Sequence, residues 1–302
     1  RQLAGLLGLP VRELNRKLAA DRGFVYLKRQ IPPPLAEQVM AMNLPGIHQQ
    51  TEYRRYYPSG EVMAHLICFT GVDESGQEGI EKAFDEQLRG IPGSRRGNVV
   101  EHVGGAQPPT QGRDLALALD AKIQYLAYTH LRQALITHRA RAGGAVVLDA
   151  RSGEVLALVN LPAYNPNASQ RTGGELRNRA LTDNFEPGST LKPFTIALAM
   201  DQGKVRADTP IQTAPGRLSI GPATISDTHP HELLSVAQVI QKSSNVGSAK
   251  IALMMQPSEM WEMFVAAGFG APLRLGFPGE AKGHVRPAAS WRPIEQATMS
   301  YG

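Results

Sequence analysis

The sequence predicts an α+β chain in two domains, on three observations. A helix-period segment from residue 120 to 139 is followed by two apolar, β-branched runs on either side of a glycine-containing loop, the pattern of a helix leading into an antiparallel hairpin. Most of the chain beyond that hairpin has helical spacing. Its 302 residues, 42% of them apolar, can bury a sizeable core, and two domains are the usual division at this length.

Taken in order, the first part, to Gly112, carries a short amphipathic helix near residues 11–20 and extended pieces such as Gly23-Phe24-Val25-Tyr26-Leu27. A helix over 82–88 is expected to end at Gly90, and 92–97 reads as a turn or loop. The stretch 107–112, with Pro108 and Pro109, is the best linker candidate, which places the domains at 1–112 and 113–302. In the second domain Ile123, Leu126, Ala127, Leu131, Ala134 and Leu135 recur at helical spacing and predict one long surface helix. Residues 144–148 and 155–161 then form a hairpin around 149–154. After a loop at 162–167, helices are expected over 194–200, 233–240 and 246–254, with a short hairpin at 216–225.

Composition excludes several function classes. The net charge of +5 is spread over scattered Lys and Arg, with no aromatic-basic stripe to meet a nucleic acid. Arg54-Arg55 with Tyr56-Tyr57 reads as a structural or domain-contact element. Cys68 is the single cysteine, so no internal disulfide forms, and no Cys/His spacing suits zinc. His229-Pro230-His231 lacks a third ligand and reads as a turn, and Met254, Met255, Met260, Trp261, Met263 and Phe264 read as core packing and not as a cofactor box. No cofactor is expected. The longest apolar runs, such as Ala145-Val146-Val147-Leu148, fall far short of the roughly 20 residues that cross a bilayer. The chain opens on Arg1 and stops at Gly302 without an ending signal, so an anchoring or targeting segment is expected to lie outside it.

The chemistry concentrates in two short runs, Ser189-Thr190-Leu191-Lys192 and Ser243-Ser244-Asn245. Residues i and i+3 of a helix share a face, which brings the Lys192 ammonium toward the Ser189 hydroxyl. Pro193 fits only in a first helical turn, so Ser189 sits at a helix N-terminus, where backbone N–H groups can stabilise an oxyanion. A serine hydroxyl needs a base, and Lys192 can serve if burial or a nearby cation lowers its pKa well below the ordinary lysine value. Ser243 and Asn245 fall in a polar break between two apolar helices, a place from which a hydroxyl can relay a proton and an amide can hold a substrate amide.

Together these runs resemble the active-site motifs of penicillin-binding proteins and serine β-lactamases. Arg177-Asn178-Arg179, Glu186-Pro187-Gly188 ahead of Ser189, and Gln241-Lys242 ahead of Ser243 are similar to class B penicillin-binding proteins. Arg55-Tyr56-Tyr57-Pro58-Ser59-Gly60, Ala64-His65 and Gly79-Ile80-Glu81 through Leu88 and Gly90 resemble that class's non-catalytic pedestal. Within it, Tyr164-Asn165-Pro166-Asn167 and Ser300-Tyr301-Gly302 look most like Gram-negative cell-division transpeptidases. The resemblance implies a pedestal domain plus a partial, serine β-lactamase-like transpeptidase domain with an antiparallel sheet and a helical subdomain. It implies a periplasmic enzyme anchored in the bacterial inner membrane. Its Ser189 would attack the D-Ala-D-Ala end of a peptidoglycan stem pentapeptide and be acylated by β-lactams. The implied roles are Ser189 nucleophile, Lys192 base, Ser243 proton relay and Asn245 substrate-amide holder, with Glu186 at the cleft edge. The implied partners are division-complex membrane proteins, including one that polymerises glycan.

Three departures accompany the likeness. Neither Lys-Thr-Gly nor Lys-Ser-Gly occurs in the chain, although the family uses that strand for substrate pairing and a second oxyanion N–H. The segment 93–99 looks shorter than the family's loop, and Cys68 stands where the family usually has glycine, most simply as a buried, inert thiol. A β-lactamase, against which the lack of a Glu-x-x-Leu-Asn run counts, a carboxypeptidase, and a non-catalytic scaffold or β-lactam sensor of the same fold are the alternative readings.

Overall fold

A computed structural model describes residues 1–20, 22–91, 94–95, 106–108, 110–168 and 176–302. The chain divides into two compact units, Arg1–Ala180 and Leu181–Gly302.

In the first unit, α1 (Gln2–Leu7), α2 (Val11–Leu18) and α3 (Pro33–Ala41) bury Leu3, Ala4, Leu7, Leu14 and Val39 against one another. Residues 23–27, expected to be extended, join no ladder; Leu27 packs on this small core while Phe24 is exposed. Beyond α4 (Ala64–Ile67), the single helix expected over 82–88 is two, α5 (Gly79–Ala83) and α6 (Asp85–Arg89). Phe84 leaves the helical region between them, and the Asp85 carboxylate accepts from Gly76 N at 2.8 Å. Gly90, at φ 70°, ends α6 as expected.

The stretch 107–112 is no free linker. Ile91 and Thr110 exchange two backbone hydrogen bonds of 2.9 Å, and a Cβ on Gly112 would lie 2.0 Å from Leu88 O, a gap only glycine tolerates. Strand β1 (Ser94–Arg95) pairs antiparallel with β2 (Ala106–Gln107). The rest of the expected 92–97 loop, and most of the short segment 93–99, lie outside the described residues.

The long helix forms as α7 (Ala121–His138), because Asp120 caps its start, accepting from Ile123 N at 2.8 Å, and Arg139 ends it in the left-handed region. Strands β3 (Gly143–Leu148) and β4 (Val155–Leu161) make the expected antiparallel hairpin. Tyr128, Leu131 and Leu135 of α7 pack on Val159 and Leu161 of β4. Helix and strand are also joined by polar atoms: fully buried Gln124 donates to Val62 O (2.8 Å) and Leu158 O (3.0 Å) and accepts from Leu158 N (2.9 Å). The run 55–65 is bonded to Tyr164, Asn167 and Asn178 in the same way. Asn167 exchanges two hydrogen bonds with the Tyr57 backbone (2.9 and 3.0 Å), Tyr164 Oη donates to Ala64 O (2.8 Å), and Asn178 Nδ2 donates to His65 O (3.1 Å). Arg55 donates to Leu88 O and lies 3.5 Å from Glu81, so the Arg-Tyr run is structural here.

Helix α8 (Arg179–Thr182) leads into the second unit. There α9 (Lys192–Asp201), α10 (Val236–Gln241), α11 (Asn245–Ala252), α12 (Pro257–Ala266) and α13 (Pro293–Met299) surround two small antiparallel pairs. β5 (Pro210–Gln212) pairs with β8 (Leu233–Ser235), and β6 (Arg217–Ile220) with β7 (Ala223–Ser226), the latter being the expected hairpin. The helix expected from 233 therefore begins as a strand: Leu234 joins the core with Ile211 while Leu233 is exposed, a period of two, and only at Ser235 does a capping box with Gln238 start α10. Ile196, Ala199, Val239, Ile251, Met260 and Phe264 form the central core. Met255 joins them, while Met254 is 44% exposed.

Candidate active site

Gly188, at φ +60°, turns the chain so that Gly188–Leu191 forms a 3₁₀ turn running straight into α9, with Pro193 in its first α-turn. Thr190 Oγ1 closes the turn on Pro187 O at 2.6 Å. Ser189 stands exposed on this turn, and three residues on, Lys192 is only 2% exposed. Behind the turn lies Gly302, φ +93°, so close that a Cβ there would be 2.2 Å from Gly188 N.

The second strip is the break between α10 and α11. Ser243 takes φ +54°, Ser244 caps α11 by accepting from Gly247 N at 2.9 Å, and Asn245 opens the helix. Gly247 allows α10 to come close, since a Cβ would meet Val239 Cγ2 at 2.6 Å. The packing of α9 against α10 and α11 through Val239 and Ile251 then brings the two strips together.

Lys192 Nζ is the hub. Ser189 Oγ, Ser243 O and Ser243 Oγ lie 2.9 Å from it and Asn245 Oδ1 2.8 Å, and Ser243 Oγ is 2.9 Å from Ser189 Oγ. An ammonium has three N–H groups for these four oxygens. A neutral amine makes the same number of contacts in a different way: its two N–H groups satisfy Ser243 O and Asn245 Oδ1, which can only accept, and its lone pair is left for a hydroxyl that can donate. Burial pushes the Lys192 pKa below the ordinary lysine value, opposed by the negative charge of Asp227. The Tyr301 ring lies 5.7 Å from Nζ, and burial raises its own pKa, keeping the phenol neutral. Asn245 Nδ2 donates to Ser226 O at 3.2 Å, which leaves its amide one further donor and one further acceptor.

Four of the five expected site residues thus form one hydrogen-bonded group. Glu186 is exposed just ahead of the turn, and among the described residues no hydrogen bond joins it to that group. Sequence reasoning missed Asp227, Tyr301 and the close approach of Gly302. The one available signal for Asp227 was a carboxylate in a polar run, Ser226-Asp227-Thr228, directly after the hairpin strand.

Comparison with known proteins agrees along both parts of the chain. Residues 143–302 match the family described as penicillin binding protein transpeptidase domain, and residues 1–117 match the penicillin-binding protein dimerisation domain. The probable peptidoglycan D,D-transpeptidase PenA of Neisseria meningitidis is 43% identical over 100% of this chain and 53% of its own length. The peptidoglycan D,D-transpeptidase FtsI of Escherichia coli is 42% identical over 100% of this chain and 52% of its own. This chain belongs to the class B penicillin-binding proteins. It spans about half the length of the relatives it matches. Among solved structures, the transpeptidase domain of penicillin-binding protein 3 from Burkholderia pseudomallei is similar at 49% identity with a TM-score of 0.56, covering 62% of this class B chain and 52% of that one. A peptidoglycan glycosyltransferase from Burkholderia ambifaria is similar at 50% identity and a TM-score of 0.57, covering 62% and 55%.

Proposed function

We propose that the protein carrying this chain is a septal peptidoglycan D,D-transpeptidase. The observation that carries the proposal is the contact of Lys192 Nζ with both Ser189 Oγ and Ser243 Oγ, the arrangement a serine acyl-transfer site without histidine requires. In the forward step neutral Lys192 takes the Ser189 proton as Oγ bonds to the carbonyl carbon of the penultimate D-Ala. The Ser189 N–H at the turn supports the oxyanion. Ser243 relays the proton to the departing D-Ala nitrogen as the C–N bond breaks. An amine of a second stem peptide then attacks the acyl-enzyme, its proton returns through the same relay to Ser189, and a cross-link forms. Asn245 holds the donor's amide with its spare donor and acceptor, and Glu186 lines the cleft edge. A β-lactam, whose strained amide mimics the donor bond, acylates the same hydroxyl.

The same reading places the pedestal at 1–112 and the transpeptidase domain from 113. It places the protein on the periplasmic side of the inner membrane, working with division-complex membrane proteins that include a glycan polymerase. Support comes from the relatives named D,D-transpeptidase and from the two matched domains.

The test supplies the full-length protein with donor and acceptor stem peptides. Release of D-Ala with formation of the cross-linked dimer, lost in Ser189→Ala, is the expected result. D-Ala release with no dimer would make it a carboxypeptidase, and neither product would favour a scaffold or sensor.

A further inference from the structure

Beside the hydrogen-bonded group stands a carboxylate that none of the catalytic steps above uses. Asp227 follows directly on β7 and is half-buried. Its Oδ2 accepts from Ser244 Oγ at 2.7 Å and its Oδ1 from Val246 N at 2.9 Å, so both oxygens are spent on the start of α11. Those two contacts bracket Asn245, and the residue before them is Ser243, held at φ +54°, which a serine seldom adopts unaided. The backbone next to Asp227 takes part as well, since Ser226 O receives Asn245 Nδ2 at 3.2 Å. Ser243 and Asn245 are therefore fixed from one side by Lys192 and from the other by the end of β7.

The geometry points to Asp227 as a positioning residue for the acyl-transfer site, one that clamps the Ser243–Asn245 turn by its two hydrogen bonds and holds a negative charge beside the residues that contact Lys192. This deepens the transpeptidase reading and rests on it. A carboxylate suits the task, because its two acceptor oxygens match a hydroxyl and a backbone N–H at a helix start, where the positive dipole end favours negative charge.

The charge has few rivals around Lys192. Burial lowers the lysine pKa and Asp227 raises it in part, while the half-buried Tyr301 phenol is neutral. Of the elements packed on α9, α10 carries no charged residue. On α11, Lys250 Nζ is turned to Gln212 O at 2.6 Å. On α12, Glu259 is occupied in capping its own helix at Gln256 N, and Glu262 is exposed. Asp227 is thus the carboxylate placed to act on the base. Its two effects differ in kind: the hydrogen bonds act on geometry at every pH, and the charge acts on the position of the pH profile.

Three variants of the full-length protein separate them, read as the second-order rate of acylation by a fluorescent penicillin across the neutral and alkaline range. Asp227→Asn keeps the shape and one acceptor oxygen while removing the charge, so its rising limb is expected at lower pH than in the parent, whatever its plateau. Ser244→Ala keeps the charge and removes one arm of the clamp. Its plateau rate is expected to fall about tenfold or more, as misplaced catalytic groups do, with the midpoint unmoved. Asp227→Ala is expected to show both changes. An Asp227→Asn profile superimposable on the parent's, or an Asp227→Ala plateau equal to the parent's, overturns the assignment. Parent protein that takes no label at all, with Ser189→Ala as control, sinks the transpeptidase reading itself, a different result from either.

Discussion

The residue scale is where the chemistry is decided. Lys192 is buried beside two hydroxyls, and its pKa is displaced downward by desolvation against a smaller upward pull from Asp227. The consequence for rate has a definite sign: the neutral amine accumulates at lower pH than for an ordinary lysine, so acylation should rise with pH and level off below the usual lysine range. Lys192→Arg, which cannot give up its proton, should lose about a hundredfold or more of the acylation rate at neutral pH. The consequence for stability has the same direction. Below the folded-state pKa the native protein must bury an ammonium, so that penalty is present at low pH and disappears as pH rises past the unfolded lysine's value. Cys68 makes the opposite case. Burial raises its thiol pKa to about 12 and it is 2% exposed, so an alkylating reagent should leave it unmodified in the native protein and react once the protein is unfolded. Its backbone sits at φ 63°, a conformation that glycine adopts far more readily than cysteine.

The elements repeat this lesson one level up, and they show what the sequence made legible. Helix α7 and the β3–β4 hairpin could be read because long periodic runs with Asp120 and a glycine loop at their ends leave little choice. The two halves of the helix over 82–88, and the strand at 233–235, could not: each is short enough that one residue's tertiary partner, Asp85 on Gly76 or Leu234 in the core, overrides the local pattern. At the site, Ser189, Lys192, Ser243 and Asn245 were legible as motifs because their spacing is local. Asp227 and Tyr301 were not, because no short motif ties either of them to Ser189 or Ser243. Gln124 is a further long-range tie of this kind. Its side chain is fully buried and makes three hydrogen bonds between α7, β4 and Val62, so Gln124→Leu leaves two carbonyls and an N–H unsatisfied. It should lower the unfolding free energy by about 2 kcal/mol or more, measurable by denaturant titration.

At the scale of the molecule, the proposed mechanism draws a nucleophile, a base and a relay from the described site, but one oxyanion donor. The resemblance implies that the second N–H comes from a Lys-Thr-Gly strand, a run that the 302 residues do not contain. Loss of one such donor costs roughly a hundredfold or more in rate. The 302-residue chain by itself should therefore be acylated at least about a hundred times more slowly than the full-length protein, as compared by stopped-flow with the same penicillin. Equal rates would mean that the turn at Gly188–Leu191 makes a complete oxyanion hole unaided. The central claim is that Ser189 is the acylated atom's residue and that the adduct lasts. Intact-protein mass spectrometry of full-length protein after incubation with a penicillin tests it most directly. One penicilloyl group, persisting for hours, located on the peptide containing Ser189 and absent from Ser189→Ala, is the expected result; no adduct, rapid turnover, or an adduct on another residue would contradict it.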